Sequence, residues 1–246
     1  MIVLSVGLPK SGSAWYYYMT NDLIVAAGHD DAGAVKERYN LQNILKFPTC
    51  NIQEPTEAKL EMLLQPPVRQ KTFAVKTHFP PNEAVIKALK EGMIKTTFLY
   101  RDPRDIAVSG YEAGAAMRRR GKTGTFANIH TLEEAILWAE KWLIKTWNPW
   151  RRVDGILKVR YEDLLLKPLE ELTRLNRFLE FGVEEKTLRR ILSHWDKHSQ
   201  TKRSAPKGHL NKGIHGRHRK VMGNAELELC RRHLGPFIEE MGYENQ

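Results

Sequence analysis

Gly7-Leu8-Pro9-Lys10-Ser11-Gly12-Ser13-Ala14-Trp15 follows directly on the apolar run Ile2-Val3-Leu4-Ser5-Val6. An apolar run that breaks into a glycine-bearing loop reads as a strand feeding a helix. The glycines let backbone N–H groups close on an anion, and the helix directs its positive end at the same point. Gly7 and Gly12 have the spacing of the ATP-binding loop G-x-x-x-x-G-K-[ST], yet Ser13 stands where that loop places its lysine. The lysine here is Lys10, inside the loop. The segment reads as a phosphate cradle on a P-loop fold, adapted to a ligand other than Mg-ATP. Trp15, one turn on, offers a flat face for a base.

The alternation continues outward from this loop. Residues 72–76, 96–100 and 156–160 read as further strands. Helices are expected at 13–27, 82–91, 103–119, 131–150, 168–181, 184–195 and 224–241, with a short one at 57–64. Pro103 suits a first helical position, and Thr131 with Glu134 forms a capping box. Strands alternating with helices imply an α/β fold, one domain over 1–246 with a mainly parallel sheet covered on both faces.

Composition narrows the class. No apolar stretch approaches a membrane span, and the N-terminal run is too short for a signal peptide. Two cysteines, Cys50 and Cys230, build no disulfide framework. A cytoplasmic protein is expected. The net charge of +10, from 39 Lys+Arg against 29 Asp+Glu, calls for an anionic partner. Basic residues gather at Arg118-Arg119-Arg120 with Lys122, and from Lys197 to Lys220, where Gly208, Gly213 and Gly216 are interleaved. A charge run is ordinarily a solvated face, but the second stretch reads as a loop that wraps an anion.

Two more segments carry chemistry. Lys76-Thr77-His78 closes the strand at 72–76, and residues two apart on an extended segment point to one side, so a cation and a base face one cleft. Arg101-Asp102-Pro103-Arg104-Asp105 closes the next strand. Arg101 is placed to grip a phosphate, and Ser109, about two turns along the helix, to donate to it. The same five residues also suit an ion-paired helix cap.

Taken together, these segments resemble the sulfotransferase family, which moves a sulfuryl group from 3′-phosphoadenosine 5′-phosphosulfate (PAPS) to an acceptor and releases adenosine 3′,5′-bisphosphate (PAP). Lys10, Ser11, Gly12, Ser13, Ala14 and Trp15 resemble the family's 5′-phosphosulfate loop. Arg101 and Ser109 match its 3′-phosphate motif, and Lys76-Thr77-His78 its Lys-x-His element. Arg160-Tyr161-Glu162-Asp163 is similar to the segment whose Tyr approaches the adenine. Asn211-Lys212-Gly213 is similar to the Arg-Lys-Gly loop over the 3′-phosphate, and Trp195 falls where an aromatic often covers the other adenine face. The resemblance implies catalytic roles for His78 as general base and for Lys10 and Lys76 as charge stabilisers, with no metal required.

The sequence departs from the pattern at Ala14, which lacks the usual hydroxyl, at Asn211, which replaces an arginine, and at His218, which replaces a tryptophan. Residues 220–226 do not match the family's dimer motif, so the oligomeric state is open. The acceptor is open too: residues 30–70 and 112–130 are expected to shape its pocket. Tyr16, Tyr17, Tyr18, Phe47, Phe79 and Phe126 are candidates for an apolar lining suited to a small hydroxylated compound. The Arg118–Lys122 cluster speaks instead for an anionic acceptor such as a glycan. The rival readings are a P-loop kinase or NTPase, opposed by the missing lysine after Gly12, and a basic nucleic-acid-binding module, opposed by the absence of a recognised nucleic-acid motif. No nucleic-acid or membrane partner is expected.

Overall fold

The run at 2–6 forms strand β1 (Ile2–Gly7), all six of whose residues are buried. A strand apolar on both faces needs covering on both, which favours parallel neighbours joined by helical crossovers. Strands β2 (Phe73–Thr77), β3 (Ile94–Tyr100) and β4 (Leu157–Arg160) complete a sheet of order β2-β1-β3-β4, parallel throughout. The structure, a computed structural model, describes residues 1–195 and 213–244.

Register fixes where the strands end. Val6 pairs with Thr77, Gly7 with Leu99, and Tyr100 with Arg160. The C-terminal ends of all four strands therefore meet along one edge. The chain leaves β1 for β2 on one side and then crosses to β3 on the other, and ligands of open α/β sheets bind at such a switch in direction.

The helices are α1 (Ser13–Ala26), α2 (Ala32–Arg38), α3 (Glu57–Leu64), α4 (Glu83–Lys90), α5 (Pro103–Arg118), α6 (Leu132–Trp142), α7 (Asn148–Trp150), α8 (Tyr161–Leu166), α9 (Pro168–Leu179), α10 (Glu185–His194), α11 (His218–Val221) and α12 (Asn224–Glu240). Asn82 caps α4 through Val85 N, and the Thr131–Glu134 capping box opens α6. Thr56 precedes α3 without a side-chain cap bond.

Two expectations change. The helix anticipated over 131–150 is interrupted by a π-helical turn at Leu143–Trp147. Pro149 has no N–H for the carbonyl of Lys145 and its ring crowds that carbonyl, so the last turns cannot keep α geometry. Helix α2 arises at residues 32–38, where the sequence reading placed no helix. Asp31 accepts from Ala34 N at 2.8 Å, and Asn21 of α1 accepts from Ala32 N at 3.0 Å, so a neighbouring helix supplies part of the cap. No described helix is long and apolar enough to cross a membrane.

Candidate active site

The loop after β1 is shaped by contacts that only small residues allow. A Cβ on Gly7 would lie 2.7 Å from Ser13 Cβ, and one on Gly12 would lie 2.6 Å from the Tyr161 ring. Gly12 also takes the left-handed conformation, with φ 89°, and Lys10 does the same with φ 68°. Ser11 Oγ donates to Leu8 O at 2.6 Å and closes the turn. Helix α1 starts at Gly12 with no side-chain cap and no acidic residue in its first turn. Its leading amides and positive pole are therefore open to an anion in the loop. Burial lowers the Lys10 ammonium pKa, and the neighbouring Arg101 lowers it further.

The end of β2 places the next pair. Lys76 is 4% exposed, and its Nζ lies 2.6 Å from His78 Nε2. His78 Nδ1 contacts Gly7 O in a short hydrogen bond. A carbonyl only accepts, so Nδ1 carries the proton and Nε2 of the neutral ring has its lone pair free to accept. Burial, then the adjacent Lys76, pushes the His78 pKa down to about 3. Burial alone brings Lys76 down to about 7.

The segment is held from behind. Thr146 Oγ1 donates to His78 O at 2.8 Å, and Trp150 Nε1 donates to Phe79 O at 2.8 Å. Thr146 sits on the π-helical turn, whose rotation relative to an α-helix aims it at β2. Sequence reading did not find Thr146 or Trp150, and only Pro149 beside them hinted at irregular helix.

The Arg101 guanidinium follows β3. It is 4% exposed and stacks 4.4 Å from the Tyr161 ring centroid. Its Nη2 donates to Asp105 Oδ2 at 3.0 Å and to Ile214 O at 2.8 Å, and its Nη1 to Lys10 O at 3.4 Å. Its buried Nε has no hydrogen-bond partner among the described residues. Arg104 instead pairs with Asp102, so the motif carries an ion-paired cap beside the Arg101–Asp105 pair. Ser109 is buried along α5.

Asp105, read from sequence only as part of an ion-paired cap, joins the parts. Fully buried, it accepts from Arg101, from Gly216 N at 2.8 Å, from His218 N at 3.1 Å and from His218 Nδ1 at 2.9 Å. These bonds hold its pKa far below the ordinary carboxylate range against the upward pull of burial. They dock residues 213–218 beside Arg101. His218, a departure from the family pattern, is thus a buried anchor, and Gly213 begins the docked segment. Asn211 and Lys212 lie outside the described residues.

The aromatic expectations divide. Trp15 and Tyr161 meet edge to face at 6.4 Å beside Gly12. The Trp195 ring stacks on Tyr18 at 5.0 Å, its Nε1 donates to Asp22, and its carbonyl accepts from Trp15 Nε1 at 3.1 Å. It supports Trp15 while one ring face is already covered. Tyr16 and Tyr17 are core residues, 2% exposed each. Consecutive positions on a helix turn about 100° apart, so three neighbours cannot share one wall.

A cavity of about 1110 Å³ opens over Lys10, Gly12, Ser13, Lys76 and His78. Phe47, Phe79 and Phe126 line it as expected, joined by Trp138 and Trp142. Residues 47–53 and 111–126 supply most of the remaining wall, and all but Tyr111 fall within the stretches 30–70 and 112–130 expected to shape the acceptor pocket. Among the described residues there is no cluster of three metal-ligating side chains.

Comparison with known proteins gives this geometry its context. The chain is 26% identical to mouse sulfotransferase 1A1 over 195 residues, 78% of this chain and 64% of that protein. It is 25% identical to mouse sulfotransferase 1B1, over 76% of this chain and 60% of the relative. The matched region thus spans less than two-thirds of either relative. Among solved structures, mouse sulfotransferase SULT7A1 complexed with PAP superposes with TM-score 0.58 and 19% identity, covering 97% of this chain and 88% of that one. Retinol dehydratase in complex with androsterone and inactive cofactor PAP gives TM-score 0.60 and 18% identity, over 99% and 82%. The sulfotransferase domain model matches residues 2–241, nearly the whole chain, and the protein belongs to that family.

Proposed function

We propose that this protein transfers the sulfuryl group of PAPS to a hydroxyl or amine of a small-molecule acceptor, with His78 as general base. The observation that carries the reading is the junction at Gly7. One residue starts the phosphate loop and, through its carbonyl, fixes the His78 tautomer whose Nε2 faces the Lys76 ammonium. The buried cations, the uncapped start of α1 and the Tyr161–Trp15 corner fit an adenosine bisphosphate in charge and shape.

PAPS, when bound, supplies the sulfuryl group and a 5′-phosphate oxygen as leaving atom. Lys10 and the amides of residues 11–15 neutralise charge at that phosphate. Lys76 stabilises the sulfuryl oxygens or the leaving oxygen. Arg101, Ser109 and Lys212 hold the 3′-phosphate, with Asn211 and Gly213 alongside, and Tyr161, Trp15 and Trp195 enclose the base. The acceptor oxygen bonds to sulfur as the sulfur–phosphate oxygen bond breaks, and its proton passes to His78 Nε2. Burial first, and the adjacent Lys76 second, keep the His78 ring neutral in the free protein, so Nε2 has a lone pair for the acceptor proton. The buried, unbridged Cys50 and Cys230 suit a cytoplasmic setting.

Calorimetry with PAP, against Mg-ATP and AMP, tests the donor site. Selective binding of the bisphosphate at micromolar or tighter affinity is expected, and no preference over Mg-ATP refutes the reading in favour of a P-loop NTPase. His78→Ala is expected to lower turnover by about 10²-fold or more while PAP affinity holds. Near-normal turnover by that variant removes His78 as base.

A further inference from the structure

The cavity is not uniform. From His78 a row of rings runs along one wall: Trp142 at 6.4 Å between centroids, then Trp138 at 6.5 Å, then Phe126 at 5.1 Å. Phe126 stands on the short 3-10 turn Thr125–Asn128, and the Lys10 ammonium lies over its ring, 5.1 Å from the centroid. Arg119, Arg120 and Lys122 line the same cavity, all three exposed. No described carboxylate lies within ion-pair distance of any of them. Cations at the end of α5 have an ordinary use, since they favour the negative pole of a helix. Here Arg118 meets the need for local order, donating to Ala127 O at 3.0 Å and Ile129 O at 2.5 Å. The three cations after it hold nothing in the described structure.

The geometry points to an elongated amphipathic acid as the acceptor. Its hydroxyl is presented at His78, its planar apolar body lies along Trp142, Trp138 and Phe126, and its carboxylate or other anionic end is read by Arg119, Arg120 and Lys122. This assignment rests on the sulfuryl-transfer reading above and adds the chemical class of its acceptor. A polysaccharide fits less well: it carries hydroxyls along its whole length, and this row of rings offers them few hydrogen-bond partners.

The test uses the full chain saturated with PAP. Binding of 4′-hydroxybiphenyl-4-carboxylate, its methyl ester and a heparin tetrasaccharide is measured by calorimetry at about 50 mM salt, where exposed charges are weakly screened. The acid is expected to bind at least about tenfold more tightly than the ester. In Arg119→Gln/Arg120→Gln/Lys122→Gln that ratio should fall to within about twofold. Equal binding of acid and ester by the unmodified protein overturns the proposal, as does binding of neither. Tighter binding of the tetrasaccharide overturns it in favour of a polysaccharide. A PAP titration of both proteins separates the two levels. Failure of the unmodified protein to bind PAP refutes the donor-site reading and this proposal with it. PAP binding without an acid–ester difference refutes the acceptor class alone.

Discussion

Binding of a bisphosphate to this protein should take up a proton, and Lys76 should be the group that takes it. Lys76 is 4% exposed with its ammonium against His78, and burial brings its pKa from 10.5 to about 7. At pH 8 such a group is charged in only about one molecule in ten. A polyanion seated in the loop favours the charged form and returns the pKa toward its ordinary value. Uptake at pH 8 is then close to 0.9 proton, on the order of one full charge. PAP affinity should fall by up to about tenfold per pH unit between roughly pH 7.5 and 9. The assay is calorimetry at pH 8 in phosphate, Hepes and Tris. The slope of observed enthalpy against buffer ionisation enthalpy counts the protons. The phosphates of PAP are already ionised at this pH, so the ligand adds little. Lys76→Met, which keeps an unbranched side chain in the buried slot, should lose most of the uptake. Lys10→Met reports the remainder, since burial and Arg101 lower that lysine as well. No uptake by the unmodified protein, or equal uptake by Lys76→Met, refutes the argument that a buried, largely neutral Lys76 faces the donor.

Lys76→Met should also raise stability at pH 7 by roughly 2–4 kcal/mol in urea unfolding, because the unfolded chain protonates this lysine and the fold resists it; an unchanged midpoint contradicts that. For His78 the folded pKa is about 3 against 6.5 unfolded, so the unfolded chain binds the extra proton between these values. Stability carried by the neutral ring is complete above about pH 6.5 and is lost as pH falls towards 3. His78→Gln should flatten the unfolding free energy by about 1.4 kcal/mol per pH unit near pH 5. Gly12→Ala must hold φ 89° with its Cβ 2.6 Å from the Tyr161 ring, so a stability loss of about 1–3 kcal/mol and weaker PAP binding are expected, read by thermal unfolding and calorimetry. Asp105→Asn removes the charge that Arg101 and His218 share and should cost about 3–5 kcal/mol and lower PAP affinity; retention of both would show that residues 213–218 dock without it.

What the sequence by itself determined is what lies close along the chain. The Gly7–Trp15 loop, the Lys76-Thr77-His78 spacing and the Arg101 motif were legible because their conformations depend on near neighbours: glycine freedom, strand alternation, a proline at a helix start. The alternation of strands and helices was legible for the same reason. Tertiary structure decided which of these ends meet. Parallel register brings Val6 beside Thr77 and Gly7 beside Leu99, and so hands His78 the carbonyl that selects its tautomer. Asp105 looked like one half of a helix cap, and became the anchor for His218 more than a hundred residues away. The π-helical turn aimed Thr146 at His78 O, a choice governed by Pro149 and by packing on the sheet. Tyr16 and Tyr17 went into the core while Trp138 and Trp142 lined the cavity, because a helix residue's direction is known relative to its own axis only. The sequence contains that axis's period; the partner surface that gives it a direction exists only once the chain is folded.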